Sequence, residues 1–143
     1  MNDQAASFVC VDDTKAFLLR VGEVANDCSF SRKPKPTLLE NLTDLESFIC
    51  KVEKGDATVP EFMILDVSMD KETDGITALK TIRASTKLEN CPVIIHSQYL
   101  DDNTVKQSYI FSANSVVKKP TLVDDQKDTL EDIIRYWLDV NQV

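Results

Sequence analysis

Short continuous apolar runs alternate along this chain with stretches whose apolar residues recur at helical spacing. Phe8-Val9-Cys10-Val11 is the first such run and predicts a strand. Phe17, Leu18, Val21 and Val24 then fall on one side of a helix. After a loop interrupted by Pro34 and Pro36, a weaker second strand is expected over residues 37–42. Thr43-x-x-Glu46 reads as a capping box. It opens a helix with Leu45, Phe48, Ile49 and Val52 facing inward, which Gly55 stops. Phe62-Met63-Ile64-Leu65 contains no polar residue, as expected of a strand covered on both faces. A polar loop over residues 67–75 leads to a short helix marked by Ile76, Leu79 and Ile82. Pro92-Val93-Ile94-Ile95 is the fourth strand, and residues 101–111 form a less apolar helix. Val116-Val117 is the core of a fifth strand that Pro120 ends. Leu130, Ile133, Ile134, Trp137 and Leu138 define the last helix.

Five strand–helix units in succession predict an α/β fold with a parallel sheet and helices on both faces. Right-handed crossovers make a doubly wound five-stranded sheet the natural closure. In such sheets, ligands bind beyond the carboxyl ends of the strands, so the residues just after each apolar run carry the functional information.

Size and charge narrow the classes. A chain of 143 residues fits one domain with one core, here spanning about residues 8–138, and no separate output domain is expected. The net charge of −8 and the lack of a basic stripe argue against a nucleic-acid partner. Arg32, Lys33 and Lys35 form the one basic cluster, and the prolines beside them make it a solvated loop. The first seven residues lack an apolar signal core, and no apolar run reaches the ~18 residues of a membrane span, so a cytoplasmic protein is expected. Cys10, Cys28, Cys50 and Cys91 form no C-x-x-C pair and His96 is the sole histidine. Reduced, mostly buried thiols are therefore expected rather than a zinc site.

Asp12 and Asp13 follow the first strand, Asp66 the third, Ser97 the fourth and Lys119 the fifth. Singly, each is an ordinary turn, cap or surface residue. Together they bring three carboxylates, a hydroxyl and an ammonium to one edge of one sheet. Clustered carboxylates repel one another unless a cation sits among them. Oxygen ligands without thiol or imidazole point to magnesium, Mg2+. A carboxylate beside such a metal, with a lysine and a hydroxyl at hand, suits phosphoryl transfer to aspartate.

The motifs Val9-Cys10-Val11-Asp12-Asp13, Ile64-Leu65-Asp66, Asp74-Gly75, Pro92-Val93-Ile94-Ile95-His96-Ser97 and Val117-Lys118-Lys119-Pro120 come in that order. As a set they resemble the receiver domain of two-component response regulators, over about residues 8–137. The tail around Leu130 to Leu138 and the Asn114 region are similar to stand-alone regulators paired with phytochrome-type kinases. The resemblance implies a flavodoxin-like three-layer sandwich with strand order 2-1-3-4-5. It implies that Asp66 accepts a phosphoryl group from a sensor histidine kinase or phosphotransfer protein. Asp13 would bind magnesium directly and Asp12 largely through water, while Asp66 and the backbone carbonyl of Ser68 would complete the set. Ser97 would be the switch hydroxyl and Lys119 the phosphoryl partner. Output would pass to a protein target or a second copy through the fourth helix, fifth strand and fifth helix.

Three positions depart from the family pattern. The loop from Ser68 to Gly75 is long and lacks the usual proline, Ala113-Asn114 replaces Gly-Ala, and Val116 replaces the aromatic switch residue. Tyr99 is the candidate to cover the site instead. His96 is expected to be a packed or partly exposed neutral imidazole rather than a phosphotransfer histidine, and Trp137 a core or interface anchor. Two other readings stay open at this level. One is an aspartate-nucleophile phosphatase, although its second Asp would stand where Ser68 does. The other is a receiver-like interaction module that is never phosphorylated, although all five key residues are kept.

Overall fold

The computed structural model describes residues 6–67 and 75–140. Five strands, β1 (Ala6–Val11), β2 (Pro34–Leu39), β3 (Met63–Leu65), β4 (Val93–Ser97) and β5 (Ser115–Lys118), form one parallel sheet in the order 2-1-3-4-5. Between and after them lie α1 (Lys15–Asp27), α2 (Leu42–Lys54), α3 (Gly75–Ala84), α4 (Asp102–Ile110) and α5 (Val123–Arg135), the last continued by a π-helical turn, Tyr136–Val140.

The strict alternation of strand side chains divides the core in two. Val9, Val11, Met63, Leu65, Val93 and Ile95 point to one face, where α2 contributes Leu45, Ile49 and Val52 and α3 contributes Ala78, Leu79 and Ile82. Phe8, Cys10, Phe62, Ile64 and Ile94 point to the other, against Phe17, Leu18 and Val21 of α1 and Leu130, Ile133 and Ile134 of α5. This is the expected three-layer sandwich. It explains why the central runs have no polar positions: both faces of β1, β3 and β4 are buried.

Two expectations about local structure need correction. The second strand covers Pro34–Leu39 rather than residues 37–42. It lies at the edge of the sheet and pairs with β1 alone, from Ala6↔Pro34 to Val11↔Leu39. An edge strand needs only half of its N–H groups for pairing, so proline is tolerated there. The second helix begins at Leu42, and its cap is Asn41, whose side chain accepts a 2.8 Å hydrogen bond from Asp44 N. Thr43 and Glu46 therefore lie inside the helix and form no capping box. Gly55 does end it, in the left-handed conformation (φ 80°) that glycine adopts without strain.

Asn114, one of the departures from the family pattern, has a structural role. Its Oδ1 accepts hydrogen bonds from Val93 N and from Arg83 Nη2, both at 3.0 Å. The amino ends of β4 and β5 are thereby tied together. The cysteines are all free: Cys10 and Cys91 are buried, Cys28 is half-buried and Cys50 is exposed on α2. Burial pushes the Cys91 thiol up to about 11 and Cys10 well above the ordinary thiol range, so both are inert as nucleophiles.

Candidate functional site

Ladder hydrogen bonds continue one residue past β1, β3 and β5 and fix the site residues there. Asp12 N donates to Leu39 O, Asp66 N to Val11 O and Lys119 N to Ser97 O, at 3.0, 3.0 and 2.9 Å. These residues thus inherit the rigidity of the sheet while standing at its edge.

The side chains converge as the sequence predicts. Carboxylate oxygens of Asp12, Asp13 and Asp66 lie within 4.8 Å of one another. Lys119 Nζ donates to Asp12 Oδ2 at 2.5 Å and to Asp66 Oδ2 at 3.1 Å. Asp12, Asp66, Ser97 and Lys119 are buried, whereas Asp13 is exposed. Thr14 N donates to Asp12 Oδ1 at 2.9 Å and fixes that carboxylate from the α1 side.

Asp13, Thr14, Asp66, Ser97, Gln98, Tyr99 and Lys119 line an open cavity of about 110 Å³. That volume suits a hydrated ion and a phosphoryl group, and falls well short of the ~300–1,000 Å³ of organic-ligand sites. Tyr99 stands at the rim with its ring largely in solvent, 75 % exposed. Larger clefts of about 300–440 Å³ occur elsewhere, but none is lined by more than one carboxylate among the described residues.

Charge and burial set the electrostatics. Burial pushes the Asp12 carboxyl up to about 6, against the opposing pull of Lys119. Burial and the charge of Asp66 also raise Asp13. Burial works against the Lys119 ammonium, yet Asp12 and Asp66 outweigh it and hold its pKa above the ordinary lysine value. Three carboxylates and one ammonium leave a formal excess of about two negative charges, which one divalent cation balances. The all-oxygen donor set and its partial exposure fit magnesium or manganese. Ser68 lies outside the described residues, as do residues 69–74 of the long loop. Gly75, at the loop's end, is required by close approach: a Cβ there would lie 2.1 Å from Val67 Cα and 2.9 Å from Asp66 O.

Several supporting residues were not singled out from the sequence. Buried Gln126 on α5 donates to Pro120 O at 2.7 Å and accepts from Arg20 Nη1 of α1 at 3.1 Å, anchoring the turn that presents Lys119. Its polar side chain in the buried stripe of α5 was the available signal. Phe17, placed in the core by periodicity, also touches the site, with its ring centroid 4.1 Å from Lys119 Nζ. His96 is a buried imidazole as expected; burial and the nearby Lys119 push it down to about 4, so it is neutral at pH 7. Val116 is partly buried against the aliphatic cluster on the α2–α3 face of the sheet, and Trp137 is half-buried against the α1–α5 core.

Fold and site together define a doubly wound α/β domain whose strand ends gather a carboxylate cluster around a lysine. The family model for the response regulator receiver domain matches residues 8–135, and the chain belongs to that family of two-component signal transduction. The phosphorylated cyanobacterial phytochrome response regulator RcpA superposes with a TM-score of 0.87 over 97 % of this chain and 98 % of its own, at 18 % identity. The Mn2+-bound form of response regulator Rcp1 gives 0.84 over 96 % and 98 %, at 22 % identity. A probable methanogenesis regulatory protein, FilR2 of Methanothrix harundinacea (strain 6Ac), is 32 % identical over 90 residues, 63 % of this chain. The chain spans 57 % of the length of that curated relative. No helix among the described residues is long and apolar enough to cross a membrane.

Proposed function

We propose that this chain is a signalling switch that accepts one phosphoryl group on Asp66 from the phosphohistidine of a sensor kinase or phosphotransfer protein. The observation that carries this reading is the buried Asp12–Lys119–Asp66 arrangement beside exposed Asp13, at the carboxyl edge of the sheet. Asp66 Oδ is the nucleophile; its bond to phosphorus forms as the phosphorus–nitrogen bond to the donor imidazole breaks. Asp12, Asp13, Asp66 and the carbonyl of Ser68 would hold a magnesium ion, which when bound neutralises charge on the transferring oxygens. The Lys119 ammonium pairs with the same oxygens, and the Ser97 hydroxyl donates to one of them once the group is attached. Tyr99, at the rim, would have to swing inward from solvent to cover the mouth and slow hydrolysis by water.

The 143 residues are read as one cytoplasmic receiver domain that acts through protein contacts rather than as a turnover enzyme. Tyr109, Ile110, Leu122, Val123 and Tyr136 are exposed on α4, α5 and their flanks, and offer apolar contacts to a protein target or a second copy. The net charge of −8 favours a protein over a nucleic acid as the partner. Incubation with acetyl phosphate and magnesium should add one acid-labile phosphoryl group by intact-mass analysis, and none to Asp66→Asn. Equal labelling of that variant would refute the assignment.

A further inference from the structure

The carboxylates that hold Lys119 are those a divalent cation would claim. Nζ stands 2.5 Å from Asp12 and 3.1 Å from Asp66. When a metal takes oxygens of both, the ammonium loses part of its attraction and is repelled by the incoming charge. Its seat then depends more on any other favourable contact it makes. Such a contact exists. Nζ lies over the Phe17 ring, 4.1 Å from its centroid, and that ring is 2 % exposed. A desolvated cation over an aromatic face is attracted by the ring quadrupole. The ring offers no oxygen, so magnesium cannot compete for it. The His96 ring also packs near Phe17, with centroids 5.5 Å apart at a 46° tilt. Because His96 is neutral at pH 7, this wall adds no second positive charge.

We propose that Phe17 is a positioning residue of the phosphoacceptor site, its ring seating the Lys119 ammonium so that a divalent cation can occupy Asp12 and Asp66 without expelling it. The inference rests on the reading of these residues as a metal-dependent phosphoacceptor site, but its main readouts need no phosphorylation.

Phe17→Leu keeps apolar bulk and removes the aromatic face. Lys119 then depends on the carboxylates alone and competes harder with the metal, so magnesium affinity should fall on the order of tenfold. Phe17→Tyr should bind magnesium as the wild type does. Phe17→pentafluorophenylalanine keeps the shape and reverses the quadrupole. It should weaken magnesium like Phe17→Leu, and it carries the test if Phe17→Leu fails to fold. In the metal-free wild type, the Lys119 ε-methylene protons should resonate upfield through the ring current, in Phe17→Tyr as well but not in Phe17→Leu. Once magnesium is bound that upfield shift should persist. The proposal is overturned if the fluorinated ring binds magnesium as tightly as the wild type. It is equally overturned if Phe17→Tyr is as weak as Phe17→Leu, or if the upfield shift is absent or vanishes with magnesium. Failure of Asp66 as the acceptor would appear separately, as undiminished phosphorylation of Asp66→Asn.

Discussion

Two cations sit at opposite ends of the sheet, and they are held differently. Lys119, at the carboxyl edge, is bound by Asp12, Asp66 and the Phe17 ring. Arg83, at the end of α3, faces the amino ends of β4 and β5 and is bound by neutral acceptors. Its guanidinium donates to Cys91 O at 2.7 Å, Ser112 O at 2.8 Å, Asn114 Oδ1 at 3.0 Å and Leu88 O at 3.2 Å. A proton on Asp12 and, in the proposed function, a metal or a phosphoryl group change the charge around Lys119. No such event changes the carbonyls around Arg83. One end of the sheet is therefore fixed for good, and the other keeps an electrostatic balance that a small charged group can tip.

The largest expected effect is at Lys119. Lys119→Ala should slow phosphorylation by acetyl phosphate about a hundredfold or more, because developing charge on the transferring group loses its ammonium partner. A time course of intact mass measures this. Arg83→Ala should instead cost about 2 kcal/mol of stability and lower the thermal midpoint by roughly 5–8 °C, since it strands several acceptors at once. Well below that midpoint, its phosphorylation rate and magnesium affinity should stay within about twofold of wild type. If Arg83→Ala changed metal affinity as much as Lys119→Ala does, the division between a fixed and a tippable end would collapse.

This contrast also marks how far the sequence could be read. Asp12, Asp13, Asp66, Ser97 and Lys119 were legible because each follows an apolar run, and strand ends in a parallel sheet must meet at one edge. The Arg83 clamp was not legible, since three of its acceptors are backbone carbonyls, which leave no trace in residue type. The central strands were clear because two-sided burial makes each begin or centre on a continuous apolar run. The edge strand β2 was misplaced because it can hold Pro34 and Pro36, which a central strand could not. Asn41 and Thr43 are both competent caps by type, and only the backbone path chooses Asn41. Phe17 was read as core from its spacing; its second role, facing a charge, needed the fold.

A smaller effect concerns pH. His96 titrates near 6.5 when unfolded and near 4 when folded, because burial and Lys119 disfavour its charge while Asp66 opposes them weakly. The unfolded chain then binds more protons between these values. The stability His96 contributes is full above pH 6.5 and is lost as pH falls toward 4. Asp12 acts with opposite sign in the metal-free protein: its pKa is raised from 3.8 to about 6, so its term weakens stability as pH rises through that range. Urea denaturation at pH 7 and 5.5 separates them. His96→Leu should lose about 1 kcal/mol less than the wild type on acidification. Identical losses in the two proteins would show that His96 does not stay neutral in the fold.

The most direct test is chemical and specific to one residue. An acyl phosphate on an aspartate is reduced by borohydride to homoserine, whereas a phosphate ester on serine, threonine or tyrosine is not. The protein should be phosphorylated with acetyl phosphate and magnesium, reduced, digested and mapped by mass spectrometry. The account predicts homoserine at position 66, dependent on magnesium and absent when the metal is chelated. Homoserine at position 12 or 13, or an unreduced phosphate on Ser97, would contradict it.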